Sequence, residues 1–104
     1  MKQYGWVQGD VIIRKVEKAE GTKPKTDGIL AEGEATGHAH RVKEGNVSLQ
    51  YTPEPGVLAM QVLSEMAIIS HEDHPDIAVP KGEYRVEIEV EYDWAAEMSR
   101  RVAD

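Results

Sequence analysis

The strongest constraint on the fold is a stretch, Glu83–Tyr92, in which apolar and charged side chains alternate without exception. Its apolar members are Tyr84, Val86, Ile88, Val90 and Tyr92, and its charged members are Glu83, Arg85, Glu87, Glu89 and Glu91. Because successive side chains of a β-strand point to opposite faces of a sheet, the pattern predicts a strand with one face in the core and the other in water. Alternation of this kind is typical of antiparallel sheets.

Other segments rich in β-branched residues, separated by turn formers, extend this prediction to the rest of the chain. The expected strands are Val11–Val16, Ile29–Val42, Val47–Thr52, Val57–Leu63 and Met66–Ser70. Lys43–Asn46 predicts a hairpin turn between the second and third of these, because Gly and Asn tolerate positive φ. We therefore predict an all-β fold, a small antiparallel barrel or sandwich of about six to eight short strands.

The length of 104 residues predicts a single β domain over residues 1–104, large enough to bury a core. The chain contains no Phe, so Trp, Tyr and aliphatic side chains must fill that core. Residues 94–104 are rich in helix-forming side chains and could form a short helix, or they could be a partly ordered tail. The sequence leaves both alternatives open.

The charge and the missing residue types exclude several classes of function. The net charge is −7, and from Gly45 onward acidic residues outnumber basic ones twelve to four, which argues against nucleic acid as a partner. The absence of Cys excludes disulfides and thiolate metal sites and fits a reducing compartment. No apolar stretch approaches membrane-spanning length. We therefore expect a cytoplasmic protein without a membrane partner.

All the histidines of the chain lie in two short pairs, and histidine nitrogens bind metal ions or titrate near neutral pH. His38 and His40 are two residues apart, so in a strand they project side by side from one face. An H-x-H pair of this kind is a recurrent way to present two imidazoles to one metal ion. Two ligands seldom bind tightly, so the second pair would have to complete the site.

The second pair, His71 and His74, would converge only in a tight turn, which Asp73 and the following Pro75 favour. Such a turn would also bring the carboxylates of Glu72 and Asp73 to the site. Nitrogen and oxygen ligands suit zinc, nickel, manganese or iron. We therefore predict a divalent-metal site with the ligands His38, His40, His71 and His74. A polar cluster without metal and a pH-sensitive contact are the alternatives.

The chain contains three further motifs: G-H-A-H-R at Gly37–Arg41, H-E-x-H at His71–His74 and P-x-G-x-Y at Pro80–Tyr84. With these motifs the chain resembles a group of small bacterial and phage-type proteins of unassigned role. A further shared element, E-Y-D, occurs at Glu91–Asp93. The resemblance covers most of the chain from Gly9 onward, and it implies no activity.

Two further sets of residues have a characteristic spacing: His38, His40 and Glu44 form one, and Pro80 and Gly82 the other. In these spacings the chain resembles, more weakly, the two motifs of the cupin barrel, a metal-binding β fold. Arg85 stands where the last metal-binding histidine of a cupin would be. A plain turn leading into the last strand is the alternative interpretation of the second motif.

No established catalytic pattern accompanies the histidines: Cys nucleophiles are absent, and the serines lack a nucleophile-elbow context. The leading hypothesis is a binding module whose histidines hold a divalent ion, with a structural and a catalytic role both open. The alternative is a non-catalytic interaction or assembly module, encoded by a phage or mobile element, that holds no metal. The sequence leaves open the substrate, the partner and whether the protein forms a homo-oligomer.

Overall fold

The computed structural model describes residues 5–32 and 38–88, and within them the chain forms eight strands. These are β1 (Gly5–Gln8), β2 (Val11–Lys15), β3 (Lys23–Lys25), β4 (Ile29–Glu32), β5 (Ala39–Glu44), β6 (Val47–Tyr51), β7 (Val57–His71) and β8 (His74–Ile88). The predicted all-β class is confirmed, since the strands form one antiparallel sheet that curls into a half-barrel. Residues 94–104, where a helix or tail was predicted, lie outside the described residues.

The two longest strands, β7 and β8, form a hairpin at the centre of the sheet and span 15 residues each. The pairing runs from Val57 opposite Glu87 to His71 opposite His74, across a two-residue turn. The prediction of two separate short strands, Val57–Leu63 and Met66–Ser70, is therefore wrong. The two segments are joined by a β-bulge in which residues 63–65 lie opposite Lys81 alone.

The bulge in β7 is filled by the turn between β5 and β6. The amides of Leu63 and Ser64 donate to the carbonyl of Asn46 at 2.8 and 3.4 Å, and the Asn46 amide donates to the Ser64 hydroxyl at 2.9 Å. Gly45 has a φ of 101°, and a Cβ there would lie 2.6 Å from the carbonyl oxygen of Met66. Only glycine allows so close an approach in this conformation. The inserted turn divides β7 into two halves with different neighbours.

The sheet order is β1-β2-β8-β7-β5-β4; β6 pairs with the first half of β7, and β3 pairs with β6. The chain turns at Gly45 and Asn46, but the predicted hairpin over Lys43–Asn46 is wrong, because β5 and β6 do not pair with each other; each pairs with β7. The prediction of one extended segment over Ile29–Val42 is also wrong. Its two ends are β4 and β5, which run antiparallel and pair with each other.

The core lies on the inner face of the sheet. The predicted alternation of buried and outward-facing side chains is confirmed over the described part of Glu83–Tyr92. Tyr84 and Val86 are fully buried, whereas Arg85 and Glu87 form an ion pair on the outer face. The Tyr84 ring meets Trp6 edge-on, with 5.7 Å between ring centroids, and its hydroxyl donates to the carbonyl of Pro80 at 2.6 Å. Tyr84 thus supplies the large core side chain in a chain without Phe.

Candidate metal site

The four histidines, which are far apart in sequence, meet at the end of the half-barrel that holds the tip of the β7–β8 hairpin. His71 lies at their centre, with its ring centroid 4.2 Å from that of His40, 4.9 Å from that of His74 and 6.0 Å from that of His38. The rings of His40 and His71 are stacked, with 29° between their planes. The predicted turn at His71–His74 and the convergence of the two pairs are therefore both present.

The hairpin tip is fastened to the beginning of β5 by a carboxylate. The Ala39 amide donates to both oxygens of Glu72, at 2.9 and 3.3 Å. The Nη2 of Arg41 lies 3.7 Å from the Oε1 of Glu72. The Ala39 hydrogen bond is the main cause that lowers the pKa of Glu72. This contact brings the H-x-H segment beside His71.

The β1–β2 turn packs against the other side of the hairpin tip. Gly9 and Asp10 form a two-residue turn in which Gly9 has a φ of 59°, a conformation that glycine adopts without strain. A Cβ at Gly9 would lie 2.6 Å from the Nε2 atom of His74. Because Gly9 has no side chain, the imidazole of His74 can pack against this turn.

His40 is the buried member of the cluster, with 2% of its surface exposed. Its Nδ1 lies 2.8 Å from the Gln8 Oε1 atom, and its Nε2 lies 3.1 Å from the Asp10 Oδ1 atom. Burial lowers the pKa of His40, and the neighbouring His71 lowers it further. Gln8 is itself buried, and its amide nitrogen donates to the carbonyls of Ile69 at 3.1 Å and Pro75 at 2.9 Å.

His38, His71 and Asp73 form a group that could hold a metal ion. One ligand atom from each lies within 4.8 Å of the other two. The His38 Nδ1 is 2.9 Å from the Asp73 Oδ2, and the Asp73 amide donates to the His71 Nδ1 at 3.0 Å. The side chains of His38 and Asp73 are 34% and 63% exposed, so the group is open to solvent.

The geometry divides the predicted ligand set. His38 and His71 belong to the metal-capable group, whereas His40 and His74 pack against His71 outside it. The carboxylate that joins the group is Asp73, which was expected near the turn but was not among the predicted ligands. Gln8 and Asp10 were not predicted as site residues, because their only signal was the turn formed by Gly9 and Asp10.

The set of residues that resembles a cupin site is not assembled. Glu44 is exposed at the C-terminal end of β5, whereas His40 lies near the N-terminal end. The cross-strand partner of Glu44 is Ile68. Arg85 is paired with Glu54 and Glu87 on the outer face of the hairpin base. The cupin resemblance is therefore not confirmed.

The fold and the site define a small all-β half-barrel with a histidine cluster at one end. The chain belongs to the family called domain of unknown function DUF8820, whose family profile matches residues 7–89. No curated protein and no solved structure matches the chain. In residues 5–32 and 38–88, no helix is long and apolar enough to cross a membrane.

Proposed function

We propose that this protein binds a divalent transition-metal ion through His38, His71 and Asp73. The observation that carries the proposal is the approach of two imidazole nitrogens and a carboxylate oxygen to within 4.8 Å of one another. Tetrahedral zinc holds such ligand atoms roughly 3.3 Å apart, which modest side-chain rotations would achieve. The donor set suits zinc, nickel, manganese or iron.

The hydrogen bonds within the group mark where an ion would enter. The Nδ1 of His38 and the Oδ2 of Asp73 share one proton at 2.9 Å, and a metal ion would replace that proton. The Nδ1 of His71 accepts a hydrogen from the Asp73 amide, so His71 would bind the ion either through Nδ1, in place of this hydrogen bond, or through Nε2 after its proton moves to Nδ1. The second route also breaks the hydrogen bond, because two N–H groups would then face each other. Both routes keep the ligand neutral, as metal binding requires.

The exposure of the group supports an ion with an open coordination position. Three protein ligands leave the fourth position of a tetrahedral ion to water or to a small molecule, which is the arrangement of catalytic rather than structural zinc sites. In this proposal the rings of His40 and His74 pack around His71 and restrict its orientation. Their prediction as direct ligands of this ion remains a prediction.

Metal analysis of untagged protein, purified without chelators, tests the proposal together with titration calorimetry for zinc, nickel and manganese. We expect Asp73→Asn to lose one bound equivalent and His38→Ala to lose the same one. Asp76→Asn is the matched control, because Asp76 is an exposed carboxylate of the same hairpin that pairs with Lys43 instead. Its metal content should equal that of the wild type.

A non-catalytic interaction module without metal is the alternative, and one observation favours it. Among the described residues, every buried side-chain nitrogen and oxygen already has a hydrogen-bond partner. A polar cluster of this kind can be stable without an ion. The alternative holds if the wild type binds no metal and its melting temperature does not change when zinc or nickel is added. A ligand that binds only the folded state must raise the melting temperature.

A further inference from the structure

An open cleft of about 500 Å³ lies beside the proposed metal site, a volume typical of pockets that hold small molecules. It is lined by residues of β5, of the end of β7 and of the hairpin tip: Arg41, Lys43, Ser70, His71, Glu72 and Asp76. Of these, His71 also belongs to the group that could hold an ion. A molecule in the cleft would therefore lie against a ligand of the proposed ion.

The guanidinium of Arg41 presents unused hydrogen-bond donors to this cleft. It is 48% exposed, and its nearest carboxylate oxygen, the Oε1 of Glu72, lies 3.7 Å from its Nη2, which is too far for a hydrogen bond. Both oxygens of Glu72 instead accept the Ala39 amide. Within residues 5–32 and 38–88 the guanidinium has no hydrogen-bond partner. Its planar fork of N–H groups matches two oxygens of a carboxylate or phosphate.

Ser70 adds a hydroxyl to the same wall of the cleft. It is the cross-strand partner of Arg41, so the two side chains project from one face of the sheet. The Ser70 side chain is half-buried, and its hydroxyl makes no hydrogen bond to any residue that the structure describes. Two neighbouring groups with donors to spare thus face one space, which favours an occupant that accepts hydrogen bonds.

The charge of the cleft favours an anion once an ion is bound. Two basic and two acidic side chains line the cleft, so without an ion its charges balance. Lys43 and Asp76 form one pair, with 3.1 Å between Nζ and Oδ2. A divalent ion adds two positive charges, of which Asp73 neutralises one. The excess positive charge and the open coordination position would both be satisfied by a negatively charged oxygen ligand.

We propose that this cleft binds the carboxylate or phosphoryl group of a small anionic molecule. Arg41 and Ser70 hold the oxyanion, and one of its oxygens fills the open position of the ion. The inference rests on the proposed function, because the cleft has no excess of positive charge without the ion. The net charge of −7 repels polyanions, so the occupant is a small molecule.

Titration of the cobalt-loaded protein with acetate and with methylphosphonate tests the proposal. Cobalt(II) takes the place of zinc because its visible absorption changes when a ligand enters its coordination shell. Both anions should change the absorption and reach saturation. Tighter binding of acetate identifies a carboxylate as the natural group, tighter binding of methylphosphonate identifies a phosphoryl group, and equal affinities support the chemistry that they share. Metal-free protein is titrated in parallel and followed by the amide resonances of the hairpin tip.

Variants of the cleft separate binding by the protein from binding by the ion alone. Arg41→Gln should weaken both anions about 10–100-fold, the effect of losing a hydrogen bond to a charged group, and Ser70→Ala about 2–10-fold. Neither residue belongs to the metal-capable group, so the cobalt affinity should be that of the wild type. Arg14→Gln is the matched control, because Arg14 is also an exposed arginine beside a glutamate, Glu87, at 3.4 Å. Its anion affinity should not change.

The outcomes distinguish this inference from the proposed function. Wild-type protein that binds no cobalt overturns both. Cobalt-loaded protein whose absorption neither anion changes overturns this inference and leaves the proposed function standing, as do equal anion affinities with and without cobalt. Equal anion affinities in the wild type and Arg41→Gln overturn the role of Arg41. A cobalt affinity that falls together with the anion affinity in Arg41→Gln overturns that role as well.

Discussion

A buried ring with polar atoms lies near each end of the β7–β8 hairpin: Tyr84 at the base, and His40 of β5 beside the tip. The hydrogen-bond partners of the two rings differ in kind. At the base, the hydroxyl of Tyr84 donates to the backbone carbonyl of Pro80, and its ring packs against Trp6. At the tip, both nitrogens of His40 face side chains, those of Gln8 and Asp10. The partner of Tyr84 is a backbone carbonyl, which cannot change its charge, whereas His40 faces the carboxylate of Asp10, which can.

Burial acts in the same direction at both ends. It raises the pKa of Tyr84 and lowers the pKa of His40, so in each case it favours the neutral ring. Only at the tip do further imidazoles and carboxylates surround the buried ring. We therefore expect the base to be a scaffold that is indifferent to metal, and the tip to be the part of the molecule that responds to it.

The largest effect is expected at the base, for Tyr84→Ala. Removing this fully buried ring should lower the free energy of unfolding by about 3–5 kcal/mol, because it leaves a large cavity in the core. Urea denaturation measures the loss, which should be the same with zinc and with a chelator. Tyr84→Phe keeps the packing and should lose only about 1 kcal/mol. A zinc-dependent loss for Tyr84→Ala would contradict the division between base and tip.

A smaller effect is expected at the tip, for Gln8→Ala. The change leaves the His40 Nδ1 and two carbonyls without their partner, so we expect a loss of about 1–3 kcal/mol in unfolding free energy. Gln50→Ala is the control, because the side-chain amide of Gln50 makes no hydrogen bond to the described residues. Equal losses of unfolding free energy in the two variants would contradict the role of Gln8.

Two glycines with similar backbone conformations sharpen the comparison further. Gly9 and Gly56 have φ values of 59° and 75°, but a Cβ at Gly56 would meet nothing within 4 Å, whereas one at Gly9 would collide with His74. Gly56→Ala should therefore cost only the backbone strain, about 1–2 kcal/mol. Gly9→Ala should cost more and should displace the His74 ring, which chemical denaturation and the His74 resonances would detect. Identical losses would show that His74 does not depend on this turn.

The smallest effect concerns Glu72, whose pKa is lowered by the Ala39 amide. A carboxylate whose pKa is lowered in the folded state contributes its full stabilisation above its unfolded-state pKa of about 4.3. This contribution is lost as the pH falls through the folded-state pKa. Glu72→Gln should therefore melt below the wild type at neutral pH. The melting temperatures, measured in chelator, should converge in acid. A difference that persists there would show that the charge of Glu72 does not fasten the tip to β5.

Local patterns in the sequence predicted the all-β class and the histidine turn, but not β1, β3, the break between β4 and β5 or the contacts between distant segments. The alternation beginning at Glu83 and the turn between His71 and His74 each depend on neighbours in sequence, so composition and spacing were enough. The continuity of β7 depends on the Asn46 turn filling its bulge, a contact that no local pattern encodes. Asp10 reaches His40 only because the curled sheet brings the β1–β2 turn against the hairpin tip, which again is a property of the whole sheet.

The long hairpin also has a consequence for the order of folding. Its strands are consecutive and joined by a two-residue turn, so closing it costs less chain entropy than any pairing between distant segments. We expect the hairpin to form early, carrying His71 and Asp73 on its tip while His38 is still part of an unstructured chain. Zinc present during refolding should then leave the early phase unchanged and accelerate the late phase in which the segment of His38 docks.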